Sequence, residues 1–132
     1  VPLGDVRAVR AGAGDRRVLI VDDEPLLRRM LASFLPRFGW TCFTAENPEE
    51  AREVLEREAI THAIVDLHLG LHSGYDVVRA IARRCPSVRI VAITGSLLSG
   101  GQAALIAGAA AFLSKPFEAL EVVVHALDGD AP

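Results

Sequence analysis

The sequence predicts an α/β fold, a parallel β-sheet with helices wound on both of its faces. Three observations predict it. Five short apolar segments alternate along the chain with five segments of helical spacing. The first, third and fourth apolar segments are continuous runs, as strands covered on both faces require. The chain has 132 residues, 51% of them hydrophobic, enough for one buried core and no more than one domain.

Residues 1–16 (VPLGDVRAVRAGAGDR) are rich in Gly, Ala and Arg, show no period, and read as a flexible leader. A chain that starts at Val1 rather than Met reads as trimmed or cut from something longer. Residues 18–21 form the first strand. In residues 25–38, Leu27, Met30, Leu31, Phe34, Leu35 and Phe38 recur at helical spacing, and Gly39 is a fitting stop. Residues 40–45 read as the second strand. Asn47-Pro48-Glu49-Glu50 starts a helix, with Asn as N-cap, Pro at the first helical position and Glu at the third; it runs to about Glu58. Residues 63–65 form a strand ending at Asp66. Residues 74–84 are helical and closed by Cys85-Pro86. Residues 88–93 form a strand of β-branched residues. Residues 101–107 make a weak, Ala-rich helix ended by Gly108, residues 111–113 a short strand, and residues 117–127 the last helix. The domain therefore spans 17–128, with a tail at 129–132. Right-handed crossovers leave few topologies open.

Charged residues are 23% of the chain and the net charge is −3, so no basic excess points to nucleic acid. Of 14 basic residues only Lys115 is a lysine. Cys42 and Cys85 lie in no CxxC pair and read as free thiols of a reducing compartment, here the cytoplasm. No apolar run approaches the roughly 18 residues of a membrane span, and there is no signal-peptide core.

Ligands of a doubly wound sheet sit beyond the carboxyl ends of its strands. There the sequence places Asp22-Asp23-Glu24, Asp66, Thr94 and Lys115-Pro116. Clustered carboxylates repel unless a cation joins them, and an all-oxygen set selects Mg²⁺ or Mn²⁺. A carboxylate can attack phosphorus to give an aspartyl phosphate, while an ammonium and a hydroxyl hold phosphoryl oxygens. Taken singly, each residue has a structural reading: Asp22 to Glu24 as a helix cap, Asp66 and Thr94 as strand-end residues, Lys115 as solvated surface. Their coincidence at four strand ends favours the chemical one.

VLIVDDE, AIVDLHLGLHSG, VAITG and AAAFLSKPF resemble the signatures of the response-regulator receiver domain of two-component signalling, the chemotaxis-regulator-like switch module. The resemblance covers about residues 17–128. It implies a flavodoxin-like (βα)5 fold with strand order 2-1-3-4-5. It implies that Asp66 accepts a phosphoryl group from a sensor histidine kinase or a histidine phosphotransfer protein. Asp22, Asp23, Asp66 and the backbone carbonyl of His68 would hold the metal, Thr94 and Phe112 would be the switch residues, Lys115 would pair with the phosphate, and Lys115–Pro116 would be cis. By this resemblance the domain catalyses only its own phosphorylation and dephosphorylation, without a separate substrate.

Four positions depart from the family pattern. Leu69-Gly70 replaces an apolar residue followed by Pro, which predicts a looser loop after Asp66. Gly95 replaces Ala and opens the pocket slightly. The stretch from Thr94 to Lys115 is one residue short, which predicts a short or shifted fourth helix. Phe112 lacks the hydroxyl of the more frequent Tyr. Two rival readings stand beside the main one: a phosphorylation-independent scaffold, and a small metal-dependent hydrolase using His62, His68 and His72. The face formed by the fourth helix, fifth strand and fifth helix is the expected site of a homodimer or effector. Leu97, Leu98, Ala103, Ala104 and Ala107 on one side, and Val122 and Ala126 facing outwards from the last helix, make it apolar.

Overall fold

A computed structural model describes residues 16–95 and 101–129. In chain order it has β1 (Arg17–Val21), α1 (Pro25–Phe34), a 3₁₀ turn (Leu35–Phe38), β2 (Thr41–Ala45), α2 (Pro48–Arg57) and β3 (His62–Asp66). A two-residue hairpin follows (His68–Leu69 with His72–Ser73), then α3 (Gly74–Arg84), β4 (Arg89–Thr94), α4 (Gly101–Ala107), β5 (Ala111–Ser114) and α5 (Glu121–Asp128). The five long strands form one parallel sheet in the order β2-β1-β3-β4-β5. This is the doubly wound, flavodoxin-like arrangement expected.

Alternation along the strands divides the core in two. Val18 and Ile20 of β1 pack with Leu31 of α1 and Val123, Val124 and Leu127 of α5. Leu19 and Val21 pack on the other face with Ala51 and Val54 of α2, Val77, Val78 and Ile81 of α3, and Ala104 of α4. The side chains of Val18, Leu19, Ile20 and Val21 are all fully buried, worth roughly 1.5–3 kcal/mol each, as an interior strand covered on both faces requires. The α2 start follows the sequence signal. Asn47 Oδ1 accepts from the Glu50 N–H at 2.8 Å, and Glu50 Oε1 accepts from the Glu46 N–H at 2.9 Å, one residue outside the cap itself.

Four local expectations are corrected. The first helix ends at Phe34 instead of Phe38. Pro36 has no N–H to continue the ladder, so the last turn tightens to 3₁₀, and Gly39 closes it at φ +90°. The last helix begins at Glu121, four residues late. Phe117 and Leu120 carry helical spacing but pack against the α1–α5 core from an irregular segment. In α5 itself Val122 and Ala126 are half-buried against that core and do not point outwards. The segment after Asp66 is also tighter than expected. His68 pairs with Ser73 and Leu69 with His72, and Gly70 makes the turn at φ +62°, a conformation closed to proline. Leu69 is buried while Leu71, at the tip, is fully exposed. The leader through residue 15, Leu97, Leu98 and the tail from residue 130 lie outside the described residues.

Candidate functional site

The register brings the strand ends level: Val21 lies beside Val65, Asp66 beside Ile93, and Thr94 beside Ser114. The next residues therefore emerge from one edge. Asp22 is fully buried, Asp66 and Thr94 are buried, and Asp23 is exposed. Lys115 reaches back across the edge: its Nζ donates to Asp66 Oδ2 at 2.9 Å and to Asp22 Oδ2 at 3.2 Å, and lies 3.6 Å from Glu24 Oε1. Its N–H donates to the Thr94 carbonyl at 2.7 Å, and the Lys115–Pro116 peptide is cis. Phe112, on the outermost strand, is 42% exposed.

The electrostatics follow from burial. Asp22 is pushed up to about 6 by its removal from water, reinforced by the charge of Asp66 and opposed by the Glu24 N–H and by Lys115. Burial acts against the Lys115 charge, yet its hydrogen bond with Asp66 and the charge of Asp22 outweigh this, and its pKa is raised. The ammonium is thus firmly protonated and shared among carboxylates that outnumber it.

Asp22, Asp23 and Asp66 each present an oxygen within 4.8 Å of the others. Three hard oxygen donors converging on one point are the chemistry of a divalent cation site, and these residues fit one. His68 contributes its N–H, which donates to Asp66 Oδ1 at 2.9 Å. An ideal Cβ at Gly95 would meet nothing within 4 Å, so the edge is open there.

The three histidines are not brought together. His62 stands at the opposite end of β3 from Asp66, edge-on to the Trp40 ring at 4.6 Å, and burial, with the charges of Arg16 and Arg89, lowers its pKa. His68 and His72 are exposed on the hairpin. The metal-competent group among the described residues is the aspartate trio alone, and the histidine-based hydrolase falls away.

A family model described as the response regulator receiver domain matches residues 18–127. The chain belongs to the response-regulator receiver family. Receivers of this family are phosphoryl-accepting switches of two-component signalling. Among curated relatives, the photosynthetic apparatus regulatory protein RegA of Cereibacter sphaeroides is 40% identical over 115 residues, covering 86% of this chain and 61% of RegA. The response regulator PilR of Pseudomonas aeruginosa is 42% identical over 105 residues, 78% of this chain and 23% of PilR. The chain thus spans less than two thirds of the length of these regulators. Among solved structures, a Burkholderia pseudomallei response regulator with a phosphorylated aspartic acid, calcium ion and citrate superposes with a TM-score of 0.80 at 32% identity, over 86% of this chain and 66% of that one. TrrA of Thermotoga maritima, in complex with Mg²⁺–BeF, gives 0.77 at 26% identity, over 86% and 97%.

The structure gathers Asp22, Asp23, Asp66, Thr94 and Lys115, all named from the sequence, at this edge, together with two supports that the sequence did not reveal. Any side chain at Gly74 would put its Cβ 2.0 Å from the Asp66 carbonyl oxygen. The sequence shows Gly74 only as a helix start, since the close approach belongs to the fold. Arg28 donates from Nη1 to the backbone carbonyl of Asp22 at 2.7 Å, and nothing in the sequence separates it from Arg29. No described helix is long and apolar enough to cross a membrane.

Proposed function

We propose that Asp66 is the phosphoacceptor of this receiver, taking the phosphoryl group from the phosphohistidine of a sensor kinase or a histidine phosphotransfer protein. The observation that carries this reading is Lys115 Nζ bridging Asp66 and Asp22 beside three aspartates that converge within 4.8 Å. An Asp66 carboxylate oxygen attacks phosphorus, the P–N bond to imidazole breaks, and its electron pair returns to the ring nitrogen. Lys115 holds a phosphoryl oxygen as a compact charge, and the Thr94 hydroxyl donates to another. Asp22, Asp23, Asp66 and the His68 carbonyl would hold Mg²⁺ or Mn²⁺, which neutralises charge on the phosphoryl oxygens. Water later attacks phosphorus and restores the carboxylate with release of inorganic phosphate, so the domain turns itself off.

Thr94 drawn toward the phosphoryl group and Phe112 turned inward from its exposed position shift a pre-existing equilibrium of the α4–β5–α5 face. Leu105 and Phe112, both exposed, give that face its apolar character, and an effector or a second copy docks there. A reducing compartment, the cytoplasm, is the reading that the two free thiols, Cys42 and Cys85, support. The deciding experiment is labelling of Asp66→Asn by acetyl phosphate. The amide is nearly isosteric but a poor nucleophile, so labelling is lost while the fold is kept; undiminished labelling would move the phosphosite elsewhere.

A further inference from the structure

Asp22 is held at every polar group it has. Its N–H donates to the Ala45 carbonyl at 3.1 Å, its Oδ1 accepts from the Glu24 N–H at 2.8 Å, and its Oδ2 accepts from Lys115. The remaining group, its backbone carbonyl, accepts from Arg28 Nη1 at 2.7 Å. That carbonyl belongs to the peptide joining Asp22 to Asp23, and the plane of this peptide sets the direction in which Asp23 leaves the chain. Asp23 is the exposed member of the trio, the one without a packed environment to aim it.

Arg28 is placed for this by helix geometry. Its N–H makes the first α1 ladder bond, to the Glu24 carbonyl, and helical side chains lean toward the N-terminus. From the second turn the half-buried guanidinium lies back over the first and meets Asp22. Arg29, one residue on, is exposed and lines a small cleft with Met30, Ser33, Phe34 and Leu120. Two adjacent arginines on one helix thus serve different surfaces.

We propose that Arg28 is a positioning residue of the cation site, fixing the Asp22–Asp23 peptide so that the Asp23 carboxylate converges with those of Asp22 and Asp66. This rests on the receiver reading above. Two effects of removing Arg28 oppose each other, which makes the test decisive. Losing a positive charge beside the site would tighten binding of a dication. Losing the hydrogen bond would release Asp23 and weaken it, by the roughly tenfold or more typical of groups that orient metal ligands.

Calorimetric titration of Mg²⁺ into the wild-type chain, Arg28→Met, Arg28→Lys and Arg29→Met reads the difference. The Arg28→Met dissociation constant rises about tenfold. Arg28→Lys, which can still donate to the same carbonyl, stays within about threefold of wild type. Arg29→Met, which removes an exposed and screened arginine charge without touching the bond, leaves affinity unchanged or slightly tighter. At saturating Mg²⁺, labelling of Arg28→Met by acetyl phosphate recovers the wild-type rate. Equal or tighter Mg²⁺ binding by Arg28→Met overturns the assignment, as does a labelling defect that persists at saturation. If Arg28→Met does not fold in a metal-free melt, Arg28→Gln takes its place with the same expectation. A wild-type chain that binds no Mg²⁺ would instead overturn the receiver reading of the site.

Discussion

At the carboxyl edge of the sheet Asp22, Glu24 and Asp66 share one ammonium, that of Lys115, with Asp23 beside Asp22 and Asp66. At the amino edge the arginines meet separate partners, Arg16, Arg17 and Arg89 each on a different element. Arg16 pairs with Asp128 and lies 4.3 Å over the Trp40 ring; Arg17 pairs with Glu58 and stacks on Phe43; Arg89 donates to the Ala126 carbonyl at 3.1 Å. Both edges close the same strands. One is left with an excess of negative charge that a cation would offset, and at the other Arg16 and Arg17 find their counter-charges within the fold. The difference separates the residues kept for chemistry from those that hold β1, β2 and α5 together.

The comparison implies that damage at the two edges has opposite signatures. The largest expected effect lies at the amino edge. Trp40 is 3% exposed and joins Arg16, His62 and the α1–α5 core. Trp40→Ala costs about 3–5 kcal/mol in denaturant unfolding, while acetyl phosphate labels the folded fraction at the wild-type rate. A labelling defect in that fraction would show the edges to be coupled.

At the carboxyl edge a substitution stabilises. Asp22 stands near 6 in the folded chain against an ordinary value of 3.8, so the folded state binds the proton more tightly. Stability contributed by this group is therefore present below about pH 4 and is lost as pH rises through about 6. Asp22→Asn removes that loss, and Lys115 keeps Asp66 as partner. In metal-free buffer the variant gains about 1–2 kcal/mol at pH 7, and the gain fades as pH falls toward 4. Chemical unfolding across that range checks both sign and window, and Mg²⁺ affinity should fall at the same time. A variant less stable than wild type at pH 7 would mean that Asp22 is held mainly by its hydrogen bonds.

The smallest effect concerns Arg16 and Asp128, each about one-third exposed. Asp128→Asn costs under about 1 kcal/mol in thermal or chemical unfolding and less in high salt. A larger loss would make the pair, and not the Trp40 packing, the anchor of α5.

Sequence periodicity by itself determined the alternation of strands and helices, because a strand covered on both faces needs a continuous apolar run, as Val18 to Val21 of β1 provide. It determined the α2 start, because Asn47, Pro48 and Glu50 have few other uses in that order. It also determined which side chains gather at the carboxyl edge, since strand ends in a parallel sheet all face one way and chemistry restricts their types. Other features only the tertiary structure decided. Residues 117–120 carry helical spacing yet pack as an irregular segment, because burial of Phe117 and Leu120 is met without a helix. The segment after Asp66 closes as a hairpin through a left-handed Gly70, a choice among backbone states that composition leaves open. His62 sits far from Asp66 because three residues of extended strand lie between them, a separation invisible in a list of metal-binding types. Arg28 and Arg29 are the same residue in sequence; the rotation of α1 about its axis turned one onto Asp22 and the other toward solvent.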